Sequence, residues 1–264
     1  MKLISLALLF TALLPAETQM DRGERVVNEA LAALGGEKFR NMRTRVETGR
    51  VYSFYHEQLT GLSIAKIYTR YSTNPDPAKV NELHVRERQA FGKKEDSIVL
   101  FLEDAGYQLS FRGARPVPAD SLARYKATTR NNILYILHER LNEPGLTFES
   151  KGGDILSNTP VEMVDITDSD NNVVSVAFHH LTKLPLRQVY YRRDPESKEK
   201  IEEVTLFTKF RDVGGGVQWP FNMLRERNGE KIYEIFSESV SINADLPASL
   251  FNLPSNVKVL KEKK

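Results

Sequence analysis

Side chains able to do chemistry are few in this sequence and poorly grouped. The five histidines are His56, His84, His138, His179 and His180, and none has the spacing of a metal-binding set. His56-Glu57 lacks the second histidine of an H-E-x-x-H helix. His179 and His180 are neighbours on an expected strand, so they point to opposite faces. All five read as surface or strand-end residues. Asp168, Asp170 and Asn172 begin like a calcium loop, but Val173 stands where the turn glycine is required and His179 where the bidentate glutamate is required. A hairpin turn is expected there instead. Gly61-Leu62-Ser63-Ile64-Ala65 starts like a nucleophile elbow, yet it ends in alanine and lies within a strand pattern. Gly214-Gly215-Gly216 runs into Val217-Gln218-Trp219 and not into a helix carrying Lys and Ser/Thr, which argues for a turn and against a phosphate-cradling loop. No two carboxylates can be placed together for glycoside hydrolysis. Neither an enzyme's constellation nor a cofactor is expected.

Composition narrows the field further. The 264 residues carry 37 Lys plus Arg against 35 Asp plus Glu, a formal charge of +2. That is too little to create the positive field that nucleic-acid binding needs, and no basic stripe with interleaved aromatics occurs. Residues 1–16 differ from the rest: Lys2, an apolar run from Leu3 to Leu14 broken by Ser5 and Thr11, then Leu14-Pro15-Ala16. This pattern reads as a secretory signal, and the run falls short of the roughly 20 residues that span a bilayer. Residues 17–264 are then expected to form one exported, periplasmic domain with no stable membrane span. With no cysteine in the sequence, lipid acylation of the new N-terminus and disulfides are both excluded. A large core must supply the stability, and a chain of this size buries roughly 70% of its unfolded surface.

Asp21 and Glu24 stand at capping-box spacing, Val27, Ala30, Leu31 and Leu34 repeat at helical intervals, and Gly35-Gly36 ends the pattern. From Thr44 the chain reads as strands separated by polar turns. They are expected near 44–55, 62–71, 82–91, 97–102, 107–112, 161–167, 173–180, 186–193, 202–210, 217–224 and 231–242. A single helix is expected between Asp120 and Leu141, with Leu122, Tyr125, Ile133, Ile136 and Leu137 along one side before Pro144-Gly145. The fold class is therefore α+β, a strongly curved antiparallel sheet of about eleven strands covered by helices, because so many strands do not stay flat. Within it Val217, Trp219, Phe221 and Met223 share a face, as do Val204, Leu206 and Phe210, and Tyr107, Leu109 and Phe111. The concave side is read as apolar, either a filled core or a lined hollow.

The carboxyl-terminal third carries a recognisable series. Leu184-Pro185-Leu186-Arg187 opens a strand, Phe210-Arg211-Asp212-Val213 leads to Val217-Gln218-Trp219-Pro220, and Asn243-Ala244-Asp245-Leu246-Pro247 precedes Leu250-Phe251-Asn252-Leu253-Pro254. The series resembles the outer-membrane lipoprotein-sorting proteins, the LolA-like and LolB-like periplasmic carriers. The resemblance implies a half-open barrel with a helical lid and lipid or lipoprotein acyl chains held between lid and sheet, each buried methylene worth about 0.8 kcal/mol. An envelope protein would act as donor or acceptor. The residues expected to line the hollow are Tyr52, Phe54, Ile64, Tyr68, Leu109, Phe111, Leu206, Trp219 and Phe221 on strands, with Leu122, Tyr125, Ile133 and Leu137 on the lid. A sensor or assembly module of the same fold, binding a protein partner, is the second reading, and a secreted hydrolase the third.

Overall fold

A computed structural model describes residues 17–72, 82–194 and 196–261. The signal segment read at 1–16 lies outside the described residues. The amino-terminal helix α1 (Gln19–Leu34) is capped by Thr18, whose side chain accepts from the Asp21 amide while Asp21 bonds back. The capping box is thus Thr18/Asp21, one turn before the expected Asp21/Glu24 pair. Val26, Val27, Ala30, Leu31 and Leu34 face the core, and Gly35 ends the helix at φ 121°. At Gly23 a Cβ would stand 2.3 Å from the Phe148 carbonyl oxygen, so only glycine lets α1 lie this close to the sheet. A single turn, α2 (Glu37–Arg40), follows and buries Phe39.

The strands are β1 (Thr44–Tyr55), β2 (Gln58–Tyr71), β3 (Val85–Phe91), β4 (Ser97–Phe101), β5 (Gly106–Ser110), β6 (Gly113–Pro116) and β7 (Thr147–Leu156). They continue as β8 (Thr159–Thr167), β9 (Val173–His179), β10 (Pro185–Arg193), β11 (Lys200–Asp212), β12 (Gln218–Arg227) and β13 (Glu230–Ile242). They form one 13-stranded sheet in the order β6-β5-β4-β3-β2-β1-β13-β12-β11-β10-β9-β8-β7, and every neighbouring pair is antiparallel. The sheet does not close, since β6 and β7 do not pair. Thirteen strands replace the expected eleven because β6 and β7 were not read from the sequence. In β7 the run Lys151-Gly152-Gly153-Asp154 looks like a turn, but a register shift between Ser150 and Gly152 absorbs the glycines into the strand.

The expected helix between Asp120 and Leu141 is broken in two. Helix α3 (Ala119–Arg130) stops at Asn131; Asn132 then caps α4 (Ile133–Tyr135), which runs into a π-helical turn at Ile136–Arg140. Helix α3 buries no side chain fully, whereas Ile133, Ile136 and Leu137 are wholly enclosed in the main core with α1 and strands β7 to β12. Two contacts of α3 measure the curvature. Tyr125 stacks on Phe101 of β4, and Thr128, one helical turn later, bonds Tyr190 of β10. Seven strand spacings separate β4 from β10, about 34 Å in a flat sheet, so the sheet must curl around the helix.

The outer face, away from α1 and α3, is also covered near β2 to β6. Residues 246–257 lie across it: Leu246, Leu250 and Phe251 on Tyr68 and Ala90, then Leu253 and Val257 on Leu100, Leu109 and Ala114. Hydrogen bonds from the Ala114 amide to Lys258 O (2.9 Å) and from the Leu260 amide to Ala114 O (2.7 Å) fasten the end of this strap.

Candidate functional site

A cavity of about 450 Å³ lies between α3 and the inner faces of β1 to β4, β12 and β13. Its size falls within the range of pockets that take one small ligand, about 300–1,000 Å³. The waist is apolar: Ile67, Met223 and Ile235 from the sheet, with Tyr125 of α3 stacked on Phe101 at 3.6 Å between ring centres and 5° between planes.

The β1 to β3 end of the cavity is polar, contrary to the expectation of an apolar concave side. Cross-strand register places Arg45 opposite Thr69 and Thr69 opposite Glu87, with Glu47 and Gln89 one step along. The Arg45 guanidinium donates to Thr69 Oγ1 (3.1 Å) and lies 4.1 Å from the Trp219 ring centre. Gln89 donates to Glu87 at 2.6 Å. Burial pushes the Glu87 carboxyl above the usual carboxylate range, with the Arg45 charge and the Gln89 bond pulling the other way. At the β12 end Arg225 donates to Thr128 Oγ1 (3.0 Å) and Arg227 pairs with Glu203 (3.0 Å).

Of the residues expected to line a hollow, Trp219 and Tyr125 do so. Ile133 and Leu137 are filled-core residues, and Leu122 is half-buried on α3, outside the cavity wall. Tyr52 is on the outer face, edge-on to Phe236 at 5.7 Å, because its neighbour Val51 points inward with Ile67 and Ile235. Phe54 follows it, half-buried. Ile64 and Tyr68 alternate with the inward residues Ala65, Ile67 and Thr69; Ile64 is exposed, and Tyr68 lies under the strap with its hydroxyl donating to Glu95 at 3.1 Å. Leu109 is under the strap as well, and Phe111 is a turn residue in solvent. Leu206 faces outward between the inward Thr205 and Phe207. Phe221 is buried beneath the Arg211 guanidinium, 4.6 Å from its ring, away from the cavity. The polar cavity residues missed are Arg45, Glu47, Thr69, Glu87 and Gln89, and the waist residues Ile67, Phe101, Met223 and Ile235 were missed with them. The signal of the polar set was an alternation with charges at Arg45 and Glu47 flanking Val46, taken in the opposite phase.

The other motifs fall where they were expected, with one exception. Asp168 Oδ1 accepts from the Asp170 and Asn172 amides in a hairpin turn, and the three glycines form the β11–β12 turn with φ of 127°, 66° and 90°. His138 is not a surface residue: it is buried against Tyr71 and Phe39, with Nε2 3.0 Å from Met42 O. Among the described residues no group of three His, Cys, Asp or Glu is placed to hold a metal ion, and no helix is long and apolar enough to cross a membrane.

Solved structures share this architecture. A DUF1329 family protein from Desulfovibrio piger superposes with a TM-score of 0.59 at 11% identity, over 87% of this chain and 97% of its own. An outer membrane lipoprotein-sorting protein domain from Vibrio parahaemolyticus superposes with a TM-score of 0.56 at 9% identity, over 88% and 97%. The fold is LolA-like. No family model matches the sequence, and no curated protein does. The likeness therefore lies in the LolA-like backbone and not in shared residues.

Proposed function

We propose that this protein binds the apolar chain of a lipid or lipoprotein in the cavity beneath α3 and carries it between envelope partners, with no covalent step. The observation that supports this most is the apolar waist of Ile67, Phe101, Tyr125, Met223 and Ile235, placed between a helix and a curved LolA-like sheet. A chain against this waist removes apolar surface from water, at about 25 cal/mol per Å². The volume of about 450 Å³ suits one chain. Helix α3 has no fully buried side chain, so little packing opposes its displacement when a chain enters.

Met223 lines the waist and offers the direct test. Met223→Trp is expected to fill the space and weaken binding of a fluorescent fatty acid by about tenfold or more, with the thermal transition retained, since volume changes in a packed site are strongly felt. Unchanged affinity in the folded variant would count against this site. Mass spectrometry of a solvent extract of the purified protein should show co-purified lipid.

A further inference from the structure

The β1 to β3 end of the cavity carries more acid than base. Glu47 and Glu87 face a single guanidinium, Arg45. Arg45 is already engaged by Thr69 and by the Trp219 ring, and its contact with Glu47 is long, 3.5 Å. Glu47 is completely buried; Oε1 accepts from the Ser237 hydroxyl, and Oε2 has no hydrogen-bond donor. Glu87 is held only by uncharged donors, Gln89 and a 3.5 Å contact from Thr69. The remaining cations of the wall do not compensate, because Arg124 pairs with Asp120, Arg227 with Glu203, and Arg225 is tied to Thr128 on the β12 side. Arg45 thus serves Glu47 at long range and leaves the half-buried Glu87 with no cation bonded to it, and a carboxylate so placed is ordinarily neutralised or paired.

Resting on the reading that an apolar chain occupies the cavity, we propose that the cargo is an amphiphile bearing a protonated amine, which sits between Glu47 and Glu87 while the chain fills the waist. An ammonium donates three hydrogen bonds, enough for the open Glu47 Oε2 and the free lone pairs of Glu87. It also supplies the charge that one arginine leaves unbalanced. The high-lying Glu87 carboxyl agrees with this, since a cation beside it would restore its ionisation.

The two kinds of cavity give opposite outcomes. In a plain hydrocarbon pocket an ammonium is penalised by desolvation and an amine-headed chain binds worse than its alcohol. Calorimetric titration of the full chain with dodecylamine, dodecanol and dodecanoate distinguishes them. Dodecylamine is expected to bind at least about tenfold more tightly than dodecanol, as charge-assisted bonds outweigh neutral ones. Glu87→Gln, isosteric and still able to meet Gln89, is expected to bring that ratio close to one, with Glu47→Gln as the second variant if the first fails to fold. Equal or weaker binding of dodecylamine relative to dodecanol or dodecanoate overturns the amine proposal alone. Binding of none of the three overturns it together with the chain-binding function.

Discussion

Trp219→Ala is expected to lower the free energy of unfolding by about 3–5 kcal/mol, the range for emptying the site of a large buried aromatic. The ring is 2% exposed and is stacked on Phe39 of α2 at 6.5 Å and 26°, with the Arg45 guanidinium 4.1 Å from its centre. Its loss leaves a void between α2 and β12 and takes from Arg45 the aromatic face that covers its charge. Trp219→Phe keeps an aromatic face for both partners and should cost much less. Urea unfolding of the three proteins checks the ranking. A Trp219→Ala variant within about 1 kcal/mol of the parent would show that the ring is not part of the packed core.

Arg140→Met should be comparably severe, about 3–5 kcal/mol, because it takes the cation from buried Asp168 and leaves Glu143 with Arg130 alone. Arg140 is 4% exposed and donates to Glu143 Oε2 (2.6 Å), Asp168 Oδ2 (3.2 Å) and the Arg130 carbonyl (2.9 Å). It joins the π-helical turn, the end of α3 and the β8–β9 hairpin in one cluster. Burial alone would raise the Asp168 carboxyl, but hydrogen bonds from Asn172 and the charge of Arg140 hold it below its ordinary 3.8. A carboxyl depressed in the folded state stabilises above its unfolded pKa and loses that contribution as pH falls through the folded value. Glu162, lowered from 4.5 against its burial by Arg22 and His180, acts in the same direction. From these two carboxyls a loss of stability is expected as pH falls from about 5 to below about 4, whereas the raised Glu87 acts in the other direction as pH rises. The decline should be shallower in Arg140→Met, where Asp168 keeps its Asn172 hydrogen bonds but loses the contribution of the cation. Chemical denaturation between those limits measures both slopes, and identical slopes would contradict the role given to Arg140.

Strand positions were legible where turn residues bracket an alternating run. The limits of β1, Thr44–Tyr55, coincide with those read from the sequence, and β13 differs by one residue at its start. What alternation does not carry is phase. It says that Arg45 and Val46 face opposite ways, and the inward side was assigned to the greasier set. That rule fails when both faces are covered: the strap of residues 246–257 makes the outer face of Tyr68 and Leu109 a second interior. Trp219 and Tyr125 do line the cavity, on a side shared by strands and a helix. The break at Asn131-Asn132 was hidden because the apolar spacing from Leu122 to Leu141 continues through it, although an asparagine that caps the next turn stops the helix.

Strand β1 stands at the middle of the sheet, with β2 on one flank and β13 on the other. The partner that completes it is thus encoded near the opposite end of the chain, and the strap over β2 to β5 later still. Loop-closure entropy for such distant pairing is met only once both stretches are present. Of the twelve strand pairings among the described residues only that of β1 with β13 joins distant stretches of chain, so the two hairpin series can form separately and this one seam unites them.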